Sequence, residues 1–211
     1  MDIKNEYYAL KQELFMNRAM QQQTQSVFPA LESDEQSMGN RRLLEDIIGN
    51  IMKIKGIIFE DFINYKIPCI TIMMPKCKGF KCDKEYGKPV CQNGALAHAI
   101  DFDYSIESIV TAYKNNPLAR AVCFQGLEPF DSFDDLRDFI FEFRNCYSIN
   151  DDIVIYTGYN KYEIENQLTQ LKQFPNIVVK FGRYIPQQSP VYDEVLGLEL
   201  ASPNQYAERI S

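Results

Sequence analysis

The stretch CITIMMPKCKGFKCDKEYGKPVC (residues 69–91) decides the reading of this chain. It opens with a short apolar run, CITIMM (69–74), bounded by Pro68 and Pro75. A continuous run of that kind suits a strand buried on both faces, the normal state of strands in parallel sheets. Directly after it come Cys77, Cys82 and Cys91, spaced C-x4-C-x8-C among lysines and glycines. A loop at the carboxyl end of such a strand is where an open α/β sheet places its ligands.

Reading outward, IKGIIFEDF (54–62), ARAVCFQG (119–126), DDIVIYTGY (151–159) and NIVVKFG (176–182) are predicted as further strands. Helices are predicted between them. ALAHAI (95–100) is a short one. In SIESIVTAYKNNP (105–117), Ile106, Ile109, Val110 and Tyr113 share a face, and the helix should stop before Pro117. SFDDLRDFIFEFRNC (132–146) carries the stripe Phe133, Leu136, Phe139, Ile140 and Phe143, with Ser132 expected to cap it and Asp135 three residues on. YEIENQLTQLKQF (162–174) turns Ile164, Leu168 and Leu171 inward. Strands alternating with helices predict an α/β fold with parallel strands and right-handed crossovers. The strand ends are then followed by PKCKGFKC, GLEPF, TGY and GRY.

Upstream the texture differs. Residues 1–51 read as an N-terminal extension, with a partial helical stripe over 1–24, a Pro/Ser/Gly linker over 25–40 and a short helix over 41–51. The α/β domain is expected over 52–211.

Composition narrows the function. The chain has 211 residues, a 45% hydrophobic share and a net charge of −7. An acidic chain is poorly suited to sequence-independent nucleic-acid binding, which needs Lys and Arg to neutralise phosphates. No window approaches the roughly 18 apolar residues of a membrane span. The N-terminus lacks the plan of a secretion signal, so a cytoplasmic protein is expected, and its cysteines should be ligands or buried thiols, not disulfides. Of the six cysteines, Cys69, Cys123 and Cys146 lie in apolar segments and read as core thiols. The single histidine, His98, rules out a three-His zinc site and reads as a packed or surface residue. Asp134, Asp135, Asp138 and Glu142 read as the solvated face of the Phe-striped helix. Arg183, after a strand end, reads equally as a partner for a carboxylate or phosphate and as a surface residue.

Three thiolates from one loop can hold three corners of a 4Fe–4S cluster and leave one iron open. They can also hold zinc, which would want a fourth ligand, with Cys69 and His98 the nearest candidates. Spacing alone leaves both open.

The second strand ends in Gly126-Leu127-Glu128-Pro129, and the chain continues through IYTGY to the tail LASPNQYAERI. Cys loop, GLEP, YTGY and ASPNQ tail, in that order, resemble the radical S-adenosylmethionine enzymes. Within them, they resemble the activating proteins of anaerobic ribonucleoside-triphosphate reductases and their short 4Fe–4S-binding relatives. The resemblance spans about residues 52–211. It implies a partial parallel (β/α) barrel-like sheet, a 4Fe–4S cluster on Cys77, Cys82 and Cys91, and S-adenosylmethionine as cofactor. Gly126, Glu128 and Pro129 would border the cofactor's methionine end, and Tyr156, Thr157 and Gly158 would wall it. Asn204 and Gln205 match the tail without an assigned role. The implied partners are a glycyl-radical reductase and a reducing protein such as flavodoxin or ferredoxin, with no nucleic acid and no membrane. The implied activity is that of a glycyl-radical activase. The alternatives are a radical enzyme acting on a small molecule, and a non-catalytic module holding zinc or an inert cluster. This chain departs from the family's C-x3-C-x2-C loop by a first gap one residue longer and a second gap six longer, with DKEYGKPV between Cys82 and Cys91, an insertion that Gly87 and Pro89 are expected to turn outward. Leu127 also replaces the motif's second glycine, and its side chain is expected to crowd the backbone approach to the cofactor.

Overall fold

The computed structural model describes residues 50–211. The readings of 1–24, 25–40 and all but the end of 41–51 lie outside the described residues. The strands are β1 (Ile51–Ile54), β2 (Gly56–Asp61), β3 (Cys69–Met74), β4 (Phe102–Ser105), β5 (Ala121–Gly126), β6 (Asp152–Tyr156), β7 (Ile177–Phe181), β8 (Val191–Asp193), β9 (Leu198–Leu200) and β10 (Tyr206–Arg209). The helices are α1 (Lys81–Tyr86), α2 (Ile106–Asn115), α3 (Phe133–Phe141) and α4 (Glu165–Leu171).

The main sheet has six strands in the order β10–β7–β6–β5–β3–β2. The inner four are parallel, as the strand–helix alternation predicts. The outer two are antiparallel, so the sheet is mixed and differs from the all-parallel expectation. The cause lies in the connections. A parallel pair needs a crossover of a dozen or more residues. Residues 62–68 are too few for one, and β10 arrives through the β8–β9 hairpin instead of a helix.

Alternation along the strands builds two cores. Ile70, Ile72, Met74, Val122, Phe124, Ile153, Ile155, Ile177, Val179 and Phe181 meet the apolar faces of α2, α3 and α4. Cys69, Cys123, Val154 and Val178 face the other way, against Tyr65, Leu196 and Leu200. The sheet is therefore buried on both faces, which is why its strands read as unbroken apolar runs.

Two local expectations fail. Ser132 makes no cap; its Oγ is buried without a hydrogen-bond partner. The 3-10 turn Pro129–Ser132 runs straight into α3, so the chain enters the helical segment at Glu128, whose side chain accepts from Phe130 N at 3.1 Å. Cys146 is exposed, not core, because α3 closes in a π turn over Glu142–Cys146 that rolls it outward. Among the described residues no helix is long and apolar enough to cross a membrane.

Candidate metal and cofactor site

The Cys loop is anchored to the strand beside it. Glu128 N donates to Lys76 O at 2.6 Å, and Lys78 N donates to the Asp131 carboxylate. The insertion that stretches the loop is itself ordered. Its first half forms α1, ending at Gly87 in the left-handed region (φ 76°), where glycine escapes the Cβ clash that other residues meet. The chain then folds back. Asp83 Oδ1 accepts from Val90 N at 2.8 Å and from Cys91 N at 2.7 Å, closing the insertion on itself. Cys82 and Cys91 are thus held at the base of a closed excursion. The outward turn expected of Gly87 is present, and the clamp that makes it work is Asp83.

The three cysteines are half-buried and not joined in disulfides. Burial, then the charges of Glu128, Cys91 and Asp131, push the Cys77 thiol up to about 11. Burial also raises Cys91, with Cys82 and Asp83 adding to it and a backbone hydrogen bond from Asn93 opposing. The trio therefore forms one electrostatic neighbourhood, Cys77 to Cys91 to Cys82.

Glu128 is the centre of the site. It is buried, and its Oε1 accepts from Phe130 N and, at 2.7 Å, from Thr157 Oγ1. Its Oε2 accepts from Gly158 N at 2.9 Å. Burial raises its pKa to about 7 against these bonds. A methyl placed on Gly158 would lie 3.6 Å from Glu128 Oε2 and 3.8 Å from Cys82 Sγ, so carboxylate and thiol flank the same backbone atom. Gly126 has φ 89°, and a Cβ there would meet Leu96 Cδ2 at 2.9 Å and the Met73 backbone at 3.2 Å. Only glycine suits that position. Leu127, by contrast, is buried and does not have a positive φ, so the missing second glycine imposes no backbone strain.

The other expected residues divide. Thr157 and Gly158 hold Glu128, and Thr157 Oγ1 also accepts from Tyr159 N at 2.9 Å. Pro129 is buried and starts the turn into α3. Tyr156 belongs to the second core and donates its hydroxyl to Asn64 O at 2.6 Å. Asn204 and Gln205 gain a role: they donate to the carbonyls of Arg183 and Gly182, at 2.7 and 3.2 Å, and pin the tail over the end of β7. Arg183 meets carboxylates, with Glu163 at 2.7 Å and Glu85 of α1 at 3.0 Å.

Lys180 was missed. The register Met73↔Gln125 and Tyr156↔Lys180 sets it one row before the last residues of β3, β5 and β7. It is buried, forms no ion pair among the described residues, and donates to Gly182 O at 2.9 Å. Burial lowers its pKa to about 8, while Cys82 and Glu128 hold it up. The signal was in NIVVKFG: a lysine inside a doubly buried strand is rare unless something compensates its charge.

Among the described residues no three His, Cys, Asp or Glu side chains gather closely enough to hold a single metal ion. An iron–sulfur cluster makes a different demand, since each thiolate binds its own iron and the ligands need not converge on one point. Three soft thiol donors on one loop suit an iron–sulfur cluster by donor type. Comparison with family models, curated proteins and solved structures gives no match.

Proposed function

We propose that this chain is a cytoplasmic 4Fe–4S protein of the radical S-adenosylmethionine type, which sets a glycyl radical on an anaerobic ribonucleotide reductase. One observation carries this: Glu128 is a buried carboxylate with three donors, where a carboxylate offers about four lone-pair sites. The open site is on Oε2, the oxygen that shares Gly158 with Cys82.

Cys77, Cys82 and Cys91 would hold the cluster. When bound, it supplies one electron to the sulfonium of S-adenosylmethionine, whose C–S bond breaks to give methionine and a 5′-deoxyadenosyl radical. The chain's own residues bind and orient. Glu128 would accept from the cofactor's ammonium, which would stabilise the ionised carboxyl that burial alone disfavours. Thr157 and Gly158 fix the carboxylate plane. Gly126 lets the β5 end pass close to Leu96 and Met73. Lys180 would offset negative charge at Cys82 and Glu128. None of these groups acts as a proton donor or acceptor in the bond cleavage.

The test is anaerobic reconstitution with iron and sulfide, reduction with dithionite, and assay for 5′-deoxyadenosine from S-adenosylmethionine. The expected result is 5′-deoxyadenosine that depends on the reductant. A protein with its full iron content that yields none overturns the proposal.

A further inference from the structure

Helix α1 carries Cys82, yet none of its six residues is buried. A segment without an apolar anchor opens easily, and its position is set by the polar contacts it makes. The hydrogen bonds of Asp83 stay inside the insertion and do not tie it to the sheet. Contacts at the two ends of α1 do. At the start, Lys81 Nζ stands 3.4 Å over the Tyr159 ring. Tyr159 is itself fixed, its hydroxyl donating to Asp131 at 2.7 Å and its N–H to Thr157 Oγ1 at 2.9 Å. At the far end, Glu85 Oε2 lies 3.0 Å from Arg183 Nε. Arg183 is buried and held from its other side, where Nη1 and Nη2 donate to both oxygens of Glu163 at 2.8 and 2.7 Å. Glu163 also accepts from Asn160 N at 2.8 Å, which fixes the turn after β6. The guanidinium thus joins that turn to α1. A planar fork can meet two carboxylates at once, and a point charge such as an ammonium cannot do so in the same geometry. A methyl on Gly158 would lie 3.8 Å from Cys82 Sγ and 3.9 Å from Arg183 Cγ, so the thiol and the arginine stem meet over one backbone atom.

We propose that Arg183 is the positioning residue of Cys82: its fork holds α1 against the ends of β6 and β7 and keeps the thiol beside Gly158 and Glu128. That the thiol so placed holds iron rests on the function proposed above; its placement does not. Two other roles for Arg183 predict different behaviour. A contact that only stabilised the fold would, when broken, uncover every cysteine alike. A contact that acted only through charge would leave Cys82 less reactive when the cation is removed, because a nearby cation favours the reactive thiolate. Loss of positioning frees α1, and Cys82 alone becomes more reactive.

The test is anaerobic alkylation of the metal-free full chain with iodoacetamide, read cysteine by cysteine by mass spectrometry. Arg183→Gln should speed labelling of Cys82 about fivefold, the scale of a partly exposed ion pair, while the buried Cys69 and Cys123 stay within about twofold of the parent. If Arg183→Gln does not fold, Cys69 and Cys123 label with it. Arg183→Lys then decides: it keeps a positive charge opposite Glu163 but cannot reach Glu85 as well, and should speed Cys82 about threefold with Cys69 and Cys123 still protected. Cys82 labelling that is unchanged or slower in the folded variant overturns the proposal, and so does a rise that Cys69 and Cys123 share in Arg183→Lys. After reconstitution, the same variant should lose iron to a chelator about tenfold faster than the parent, the usual cost of removing a residue that orients a metal ligand. Release at the parent's rate overturns the proposal as well. A parent chain that takes up iron but forms no 5′-deoxyadenosine, or takes up none, strikes the function instead, and the labelling of Cys82 still decides its positioning.

Discussion

Asp61 and Glu128 are both buried carboxylates with thiols close by, yet they do opposite things. Asp61 accepts from Ile63 N at 3.0 Å, Asn64 N at 3.2 Å, Thr71 Oγ1 at 2.6 Å and the Asn64 side-chain amide. Four donors fill a carboxylate, so nothing remains for a ligand. Its neighbouring thiols, Cys69 and Cys123, are fully buried, and Cys69 donates to Asp61 O at 3.6 Å. Glu128 keeps one acceptor position free, stands among half-buried thiols, and has a buried lysine within electrostatic reach. The first cluster ties the loop after β2 to the start of β3. The second lies where four parallel strands end. Saturation and placement, more than residue type, separate a structural polar cluster from a candidate site.

The comparison breaks most sharply on metal content. Cys77→Ala, Cys82→Ala or Cys91→Ala should each reduce bound iron by more than about tenfold, because a ligand is lost outright. Cys69→Ala and Cys123→Ala should retain it. Iron loss from the second pair equal to that from the first would erase the distinction.

Stability sharpens it next. Asp61→Ala strands buried donors and should cost about 3 kcal/mol or more in denaturant unfolding. The pH dependence of Glu128 runs the other way from that of an ordinary carboxylate. Its folded pKa, about 7, lies above the unfolded 4.5, so its contribution is full below 4.5 and is lost as pH rises through 7. Unfolding free energy should decline over that window by about 3 kcal/mol, and Glu128→Gln should flatten the decline. An unchanged slope in the variant would show that another group titrates.

The smallest effects lie in the backbone. Gly126→Ala should cost roughly 2 kcal/mol, from positive φ plus the close contacts with Leu96 and Met73. Gly87→Ala has the same kind of φ but open space around it, and should cost about 1 kcal/mol. Thermal unfolding of the two variants checks the order.

Much of the fold was legible because apolar runs and helical stripes report burial directly. CITIMM reads as a doubly buried strand and is one, ARAVCFQG and NIVVKFG read as strands and contain β5 and β7, and the α2 and α3 stripes pack as their spacing implies. What sequence did not show depends on contacts between distant residues. The antiparallel edges follow from connection length and from where the tail returns. The Asp83 clamp joins positions within the insertion that carry no recognisable pattern. Arg144 is buried, donating to the carbonyls of Ile149 and Pro175 at 2.7 and 3.0 Å, contacts that nothing in the sequence around it signals. Ser132 carried a sound capping signal that the preceding turn overrode. Around the candidate site, Cys77, Cys82 and Cys91 stand out in the sequence by sharing one loop, Glu128 enters only through the family resemblance, and the structure gives Thr157 and Gly158 a definite task as holders of Glu128. Tyr156 was placed in the cofactor wall and instead ties β6 to the loop before β3.

Electron paramagnetic resonance of the reduced, reconstituted protein with and without S-adenosylmethionine tests the central claim most directly. A reduced 4Fe–4S signal should be present, change shape when the cofactor is added, and lose that response in Glu128→Gln while keeping its intensity. A protein without the signal, or one whose signal ignores the cofactor, would contradict the account.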